Sequence, residues 1–390
     1  MEFRIERGVF AEAVGWAGRA LPSKSPVPVL GGLLLQAGAE RLTVSGFDFE
    51  TAARIEADAE TAAPGRVLVL GRRLLDICRV LPEGPVSCVL EGTRFTVEAG
   101  GTEFGLSTLP LGEYPALPAA PAAYGAVDAA GFATAVGQVA VAAGRDDTLP
   151  VLTGVQLRLE GEEMTVSASD RYRYAVRRLP WKPEAGAGES TGAGEVAVEM
   201  LLPARRLLDV ARSLARCGSV RIGLDPSAAA GGGPVGFEGG RMRSLVRRLD
   251  GRLPGYGSLF ELPGAAVAEV ECGALAEAVR RVSVVAEANS PVRLEFAAGD
   301  GSLRVRAGYG DDVAAQRLPA GLTGAEEVTV AFNPAYLLDA LNSFEGPGLR
   351  MELLRAGQRA LLSSVAEASG GDAGSGAAHR HLLMSVKQLV

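Results

Sequence analysis

Histidine is almost missing from this sequence: His379 and His381 are the only two in 390 residues. A zinc site built on them would need further ligands, and none stands at the right spacing. A strand-edge pair is the simpler reading, and neither a metal nor a cofactor is expected. The four cysteines (Cys78, Cys88, Cys217 and Cys272) lie far apart with no CxxC spacing. They read as reduced, mostly buried thiols of a cytoplasmic protein. No window approaches 18 uninterrupted apolar residues, and the chain opens on Glu2, Arg4, Glu6 and Arg7. That argues against a membrane span and a secretory signal. P-loop and zinc motifs are also lacking. Gly188-Glu189-Ser190-Thr191-Gly192 matches the nucleophile-elbow pattern formally, without the strand before and helix after that would strain the serine into place. Gly231, Gly233 and Gly236 match a dinucleotide fingerprint, again with no helix to receive a pyrophosphate. With 51 glycines in the chain, both are coincidences. A net charge of −7 argues against a protein coated in nucleic acid but leaves room for a local basic surface.

What the sequence does contain is a threefold repeat. LGRRLLDICRVL (70–81), PARRLLDVARSL (203–214) and NPAYLLDALNSF (333–344) are one helical segment written three times. Their aspartates, Asp76, Asp209 and Asp339, are separated by 133 and 130 residues, a third of the chain. A second helix-like stretch precedes each of them, at 9–20, 131–144 and 274–286. PVPVLGGLLLQ, LPVLTGVQLRL and PVRLEF follow these stretches, and then come the alternating strands LTVSGFD, MTVSASD and LRVRAGY. The same order three times predicts three diverged copies of one domain, at 1–123, 124–264 and 265–390. Short strands with period-two alternation outnumber helices and no βαβ order is visible. The fold class is therefore α+β with antiparallel sheets. Glycine- and alanine-rich stretches at 183–194, 226–234 and 366–378 read as surface loops.

At about 100° per residue, Arg205, Asp209, Arg212 and Arg216 share one helix face, with Leu207, Leu208, Ala211 and Leu214 opposite. The first copy repeats this with Arg72, Asp76 and Arg79 above Leu74, Leu75, Cys78 and Leu81. The third keeps only the apolar side. Residues 124–264 carry 17 basic and 16 acidic groups, against 11 and 15 in each flanking third. So modest a surplus suits loose, sequence-independent contact with phosphates.

PVPVLGGLLLQ, LLDICRVLPEG, FGLSTLPLGEYPAL, LDGRLPGY and FNPAYLLDALNSF together resemble the bacterial sliding-clamp family, the β subunit of DNA polymerase III, over essentially the whole chain. The resemblance implies three tandem clamp domains, each with two helices inside and antiparallel sheets outside. Two copies would form a head-to-tail homodimer, a six-domain ring around duplex DNA that tethers the polymerase and catalyses nothing. Family DNA contacts fall on Lys24, Arg72, Arg79 and Arg205. The dimer contact falls on Phe104 and Leu106 of one strand and on Val284 and Val285 of a third-domain helix. Polymerase and clamp-loader subunits would dock by short linear peptides. Their pocket maps to Leu152, Ser169, Arg171, Tyr172, Arg173, Tyr174, Val176, Pro254, Leu259, Asn333, Tyr336, Leu383 and Met384.

Several pocket positions depart from the family pattern. Arg171 stands for a usual glycine, Tyr174 for a leucine, and Met384-Ser385-Val386 begins an unusual ending. Their clustering suggests an alternative: a clamp paralogue whose altered pocket resists a clamp-binding inhibitor.

Overall fold

The computed structural model describes residues 1–22, 24, 27–184, 197–225, 233–287, 290–365 and 379–387. The Gly188–Gly192 motif, Gly231 and most of the three predicted loops lie outside the described residues. Two compact units emerge, one of Met1–Ala130, Pro183–Glu189 and Asp209–Arg248, the other of Gly131–Lys182, Ser190–Leu208 and Leu249–Val390.

In the first unit, the strand Glu2–Glu6 buries Phe3 and Ile5 and exposes Glu2, Arg4 and Glu6, the alternation that a sheet with one wet face demands. It joins a sheet that continues through Pro85–Glu91 and Arg94–Ala99 to Thr102–Ser107. A second sheet runs from Ala123–Asp128 through Ser219–Gly223, Pro234–Gly239 and Met242–Arg247. It then passes to Thr51–Asp58, Arg41–Phe47, Gly32–Gly38 and Gly65–Leu70. Helices α1 (Arg7–Ala17) and α2 (Gly71–Val80) pack against each other. On α2, Leu74, Ile77 and Cys78 are buried at helical spacing while Arg72, Asp76 and Arg79 are exposed.

The second unit holds twelve antiparallel strands among its described residues. The series passes from Val198–Pro203 through Gly154–Glu160, Glu163–Ser169 and Arg173–Pro180 to His379–Met384 and Arg359–Ser364. It continues through Gly348–Leu353, Ala266–Glu271 and Asp312–Thr323 to Ser302–Tyr309, Val292–Ala297 and Glu327–Phe332. Helices α3 (Ala129–Ala140) and α4 (Ala204–Leu214) belong to the middle repeat in sequence. In the third, Leu275 and Val279 of α5 (Cys272–Val282) and Leu337 and Leu341 of α6 (Pro334–Leu341) share a core with Leu294, Phe296, Met351 and Leu362. Glu271 caps α5, accepting from Gly273 N at 3.0 Å and from Ala274 N. Asn333 caps α6 from the position before Pro334, whose missing N–H costs nothing at a helix start.

The fold is therefore α+β with all named strand pairs antiparallel, and its helices are 8 to 12 residues long. No helix of the described residues is long and apolar enough to cross a membrane. The four cysteines are unpaired, and burial pushes the Cys78 thiol up to about 12 and Cys272 up to about 11. Two expectations need correcting. Val284 and Val285 are not on a helix of the α5 type, which ends at Val282; they sit in a following 3₁₀ turn, Ser283–Val285. The histidines are not at a strand edge. Their strand is flanked on both sides, by Arg173–Pro180 and Arg359–Ser364, and both rings are buried.

Candidate peptide groove and arginine-bearing helices

The strands Arg173–Pro180 and His379–Met384 pair antiparallel with Arg173 opposite Leu383 and Val176 opposite Arg380. Side chains alternate, so this register sorts the expected pocket residues onto two faces. Tyr174 and Val176 fall on one, with Leu382 as cross-strand neighbour. They share an apolar cluster with Leu253, Phe260, Leu361 and Leu382, against which Tyr256 and Leu259 pack. The Tyr174 ring is 3% exposed and its hydroxyl donates to Pro254 O at 3.0 Å. It meets Tyr256 and Phe260 at centroid distances of 5.9 Å each. Burial pushes its phenol up to about 12. Leu383, expected in the pocket, turns the other way into the third-repeat core, and its neighbour Leu382 takes the place beside Tyr174.

The turn before this strand and the start of α6 carry the polar groups. Ser169 Oγ donates to Arg173 O at 2.8 Å. Asp170 Oδ1 accepts from Tyr172 N at 3.0 Å and Arg173 N at 3.1 Å, closing a tight turn. Arg171 sits at its corner with φ of 82°, in the left-handed region that favours glycine. Arg173, with a side chain 4% exposed, gives Nε to Asp170 Oδ2 and Nη1 to Asp339 Oδ2, both at 2.8 Å. Its guanidinium lies 4.5 Å from the Tyr336 ring centre, and Tyr336 stacks on Tyr172 at 6.1 Å. Tyr172 is 59% exposed, and Met384 N donates to its carbonyl at 2.8 Å. Leu152 is half-buried, its carbonyl accepting from Gly144 N at 2.6 Å. The Asn333 side chain is spent capping α6, through Ala335 N at 2.9 Å and Tyr336 N at 3.3 Å. The Arg173–Asp339 pair and the Tyr256–Phe260 cluster were not assigned from sequence. Only the recurrence of Asp339 in the repeat pointed towards the former.

Among the other predicted residues, Lys24, Arg72, Arg79 and Arg205 are all exposed. Arg72 donates to Pro22 O at 3.0 Å, and Arg79 pairs with Asp76 at 2.8 Å. That exposed pair contributes about 0–1 kcal/mol, so Arg79 is free to exchange it for another anion. Arg205 rims a cavity of about 270 Å³ with Arg145, Asp147, Leu208 and Asp339. Phe104 and Leu106 face α2 across a hollow of about 790 Å³ that Leu70, Ile77 and Val80 also line. Leu106, expected at the dimer contact, is only 8% exposed; Leu70 and Val80 are the exposed apolar groups there. Val284, 82% exposed, and Val285 carry their apolar surface outward.

Family models of the DNA polymerase III beta subunit match the chain three times: the N-terminal domain at residues 1–118, the central domain at 126–255 and the C-terminal domain at 262–370. The chain belongs to the bacterial sliding-clamp family. As a clamp it has three tandem copies of the family's domain, as the repeats predicted. It is 45% identical over 388 residues to the beta sliding clamp of Streptomyces coelicolor, covering 99% of both chains. It is 40% identical, with the same coverage, to the beta sliding clamp homolog GriR of Streptomyces muensis. Among solved structures, a sliding clamp of Pseudomonas aeruginosa bound to griselimycin superposes with a TM-score of 0.86 at 22% identity, covering all of both chains.

Proposed function

We propose that this protein is a processivity clamp: two copies close head to tail into a six-domain ring that encircles duplex DNA in the cytoplasm and catalyses no reaction. The carrying observation is a sheet joint used twice. Thr51–Asp58 pairs with Met242–Arg247, and Arg173–Pro180 pairs with His379–Met384, the same two repeat strands each time. The third use is missing one partner at each end. Thr102–Ser107 pairs only with Arg94–Ala99 among the described residues, leaving one edge open. In Asp312–Thr323, the stretch up to Pro319 pairs only with Ser302–Tyr309 among the described residues. An open edge recruits another strand, and here each copy offers what the other lacks. Tyr309, Val313, Val284 and Val285 are exposed at one end, and Leu70 and Val80 at the other. Repeat boundaries at 123/124 and 264/265 accompany this reading.

In the ring, Lys24, Arg72, Arg79 and Arg205 meet phosphates without reading bases. Polymerase and clamp-loader subunits dock by short peptides at the groove around Tyr172, Tyr174, Leu259 and Tyr336. Since Leu106 is buried and a charge there could unfold its domain, the assembly test uses exposed positions. Val80→Asp and Val284→Asp should each weaken the dimer by about 2 kcal/mol, the scale of a central interface residue. Sedimentation should then show monomers with unchanged circular dichroism. Dimers in both variants would contradict the joint.

A second reading is favoured by one observation: the Tyr174 ring already occupies the apolar cluster of the groove, tied to Pro254 O. A clamp paralogue with this pocket would accept short native peptides and bind an inhibitor such as griselimycin poorly.

A further inference from the structure

Asp76, Asp209 and Asp339 hold one repeat position, yet they have different partners. Asp76 pairs with Arg79 inside its own helix, in solvent, and Asp209 is exposed. Asp339 reaches out of its repeat to Arg173, 166 residues earlier. Arg173 is almost sealed from water and is held along its edge by two carboxylates, Asp170 and Asp339. Its flat face lies on Tyr336, one helical turn before Asp339, so α6 grips the guanidinium by edge and face together. The Tyr336 ring then supports Tyr172 at 27° between planes, and Tyr172 is the solvent-facing member of the series.

We propose that Asp339 is a positioning residue of the peptide groove: through Arg173 it sets the Tyr336–Tyr172 aromatic wall against which a bound peptide's side chain rests. This rests on the reading of the region as the peptide groove. Without the Asp339 charge, a buried guanidinium keeps one carboxylate, and its second edge is left with at most a weaker, uncharged acceptor. A buried donor in that state is costly, so Arg173 rotates towards Asp170 or water, and the face supporting Tyr336 rotates with it. The helix stays in place, because Leu337, Ala340 and Leu341 bury its other side.

The test is a double-mutant cycle on the full-length dimer, read as affinity for a fluorescein-labelled peptide copying the clamp-binding segment of the host's replicative polymerase. Asp339→Asn and Tyr172→Ala should each weaken binding about tenfold, and the double variant also about tenfold, because both remove one wall. Asp339→Glu, which keeps the charge, should recover most of the affinity. If Asp339→Asn fails to fold, Asp339→Ser replaces it in the cycle, since Arg173 is then released by a smaller side chain. Losses that multiply to about a hundredfold would assign Asp339 a separate structural role and overturn the proposal. No peptide binding by the unaltered chain would overturn the groove reading, and the positioning role with it.

Discussion

The turn Ser169–Arg173 concentrates what is unusual about single residues here. Asp170 fixes it by accepting two backbone N–H groups, and that leaves Arg171 with a positive φ. The first repeat builds the same turn, where Asp48 accepts from Glu50 N and Thr51 N and Phe49 takes φ of 69°. A non-glycine side chain in this region costs about 1 kcal/mol, which the neighbouring strand pairing overrides. Tyr174 has the opposite character: its ring lies inside the cluster and is satisfied by Pro254. Reverting both, as Arg171→Gly with Tyr174→Leu, should open the apolar floor and relax the turn. Calorimetry with griselimycin as the probe should show the double variant binding at least about tenfold more tightly, the worth of one aromatic ring's displacement. Equal affinities would remove the case for a specialised pocket. The departures at 171 and 174 were legible in the sequence. The burial of Tyr174 was not, because it depends on Tyr256 and Phe260 arriving from about 80 residues away.

Among the elements, the strand His379–Met384 shows most plainly what one-dimensional reading misses. A pair of histidines two residues apart suggested an exposed edge. Pairing on both sides instead buries them. His379 touches Ser343 Oγ at 2.8 Å and Val176 O at 3.3 Å, while neither nitrogen of His381 has a hydrogen-bond partner among the described residues. Burial, reinforced by the Arg177 charge, pulls His379 down to about 4. His381 falls well below its usual value through burial, the His379 charge and Arg173. Both rings are therefore neutral when folded, whereas the unfolded chain takes up their protons near pH 6.5. Stability is full above that pH and falls by about 1.4 kcal/mol per unit per histidine as pH drops towards 4. Melting temperatures between pH 7.5 and 4.5 should decline, and His381→Leu should flatten the decline. Identical slopes would contradict neutral burial.

At the scale of the whole molecule, the repeat was the most legible feature, since Asp76, Asp209 and Asp339 recur at one third of the chain. The six α-helices among the described residues end within four residues of the predicted stretches, because each has an apolar stripe that the 3.6-residue period exposes. Sheet joints were invisible in the sequence. Nothing in Thr51–Asp58 or His379–Met384 names its partner, and register is set by contacts far apart along the chain. Those joints are also what suggests a ring, so the central claim is topological rather than one of affinity. It is tested by loading the protein, with its clamp loader and ATP, onto a nicked circular duplex, washing in about 1 M salt where the Debye length is only about 3 Å, and then cutting the circle once. The protein should stay on the circle through the wash and leave on linearisation. Loss at the salt wash, or retention on the linear product, would contradict encirclement.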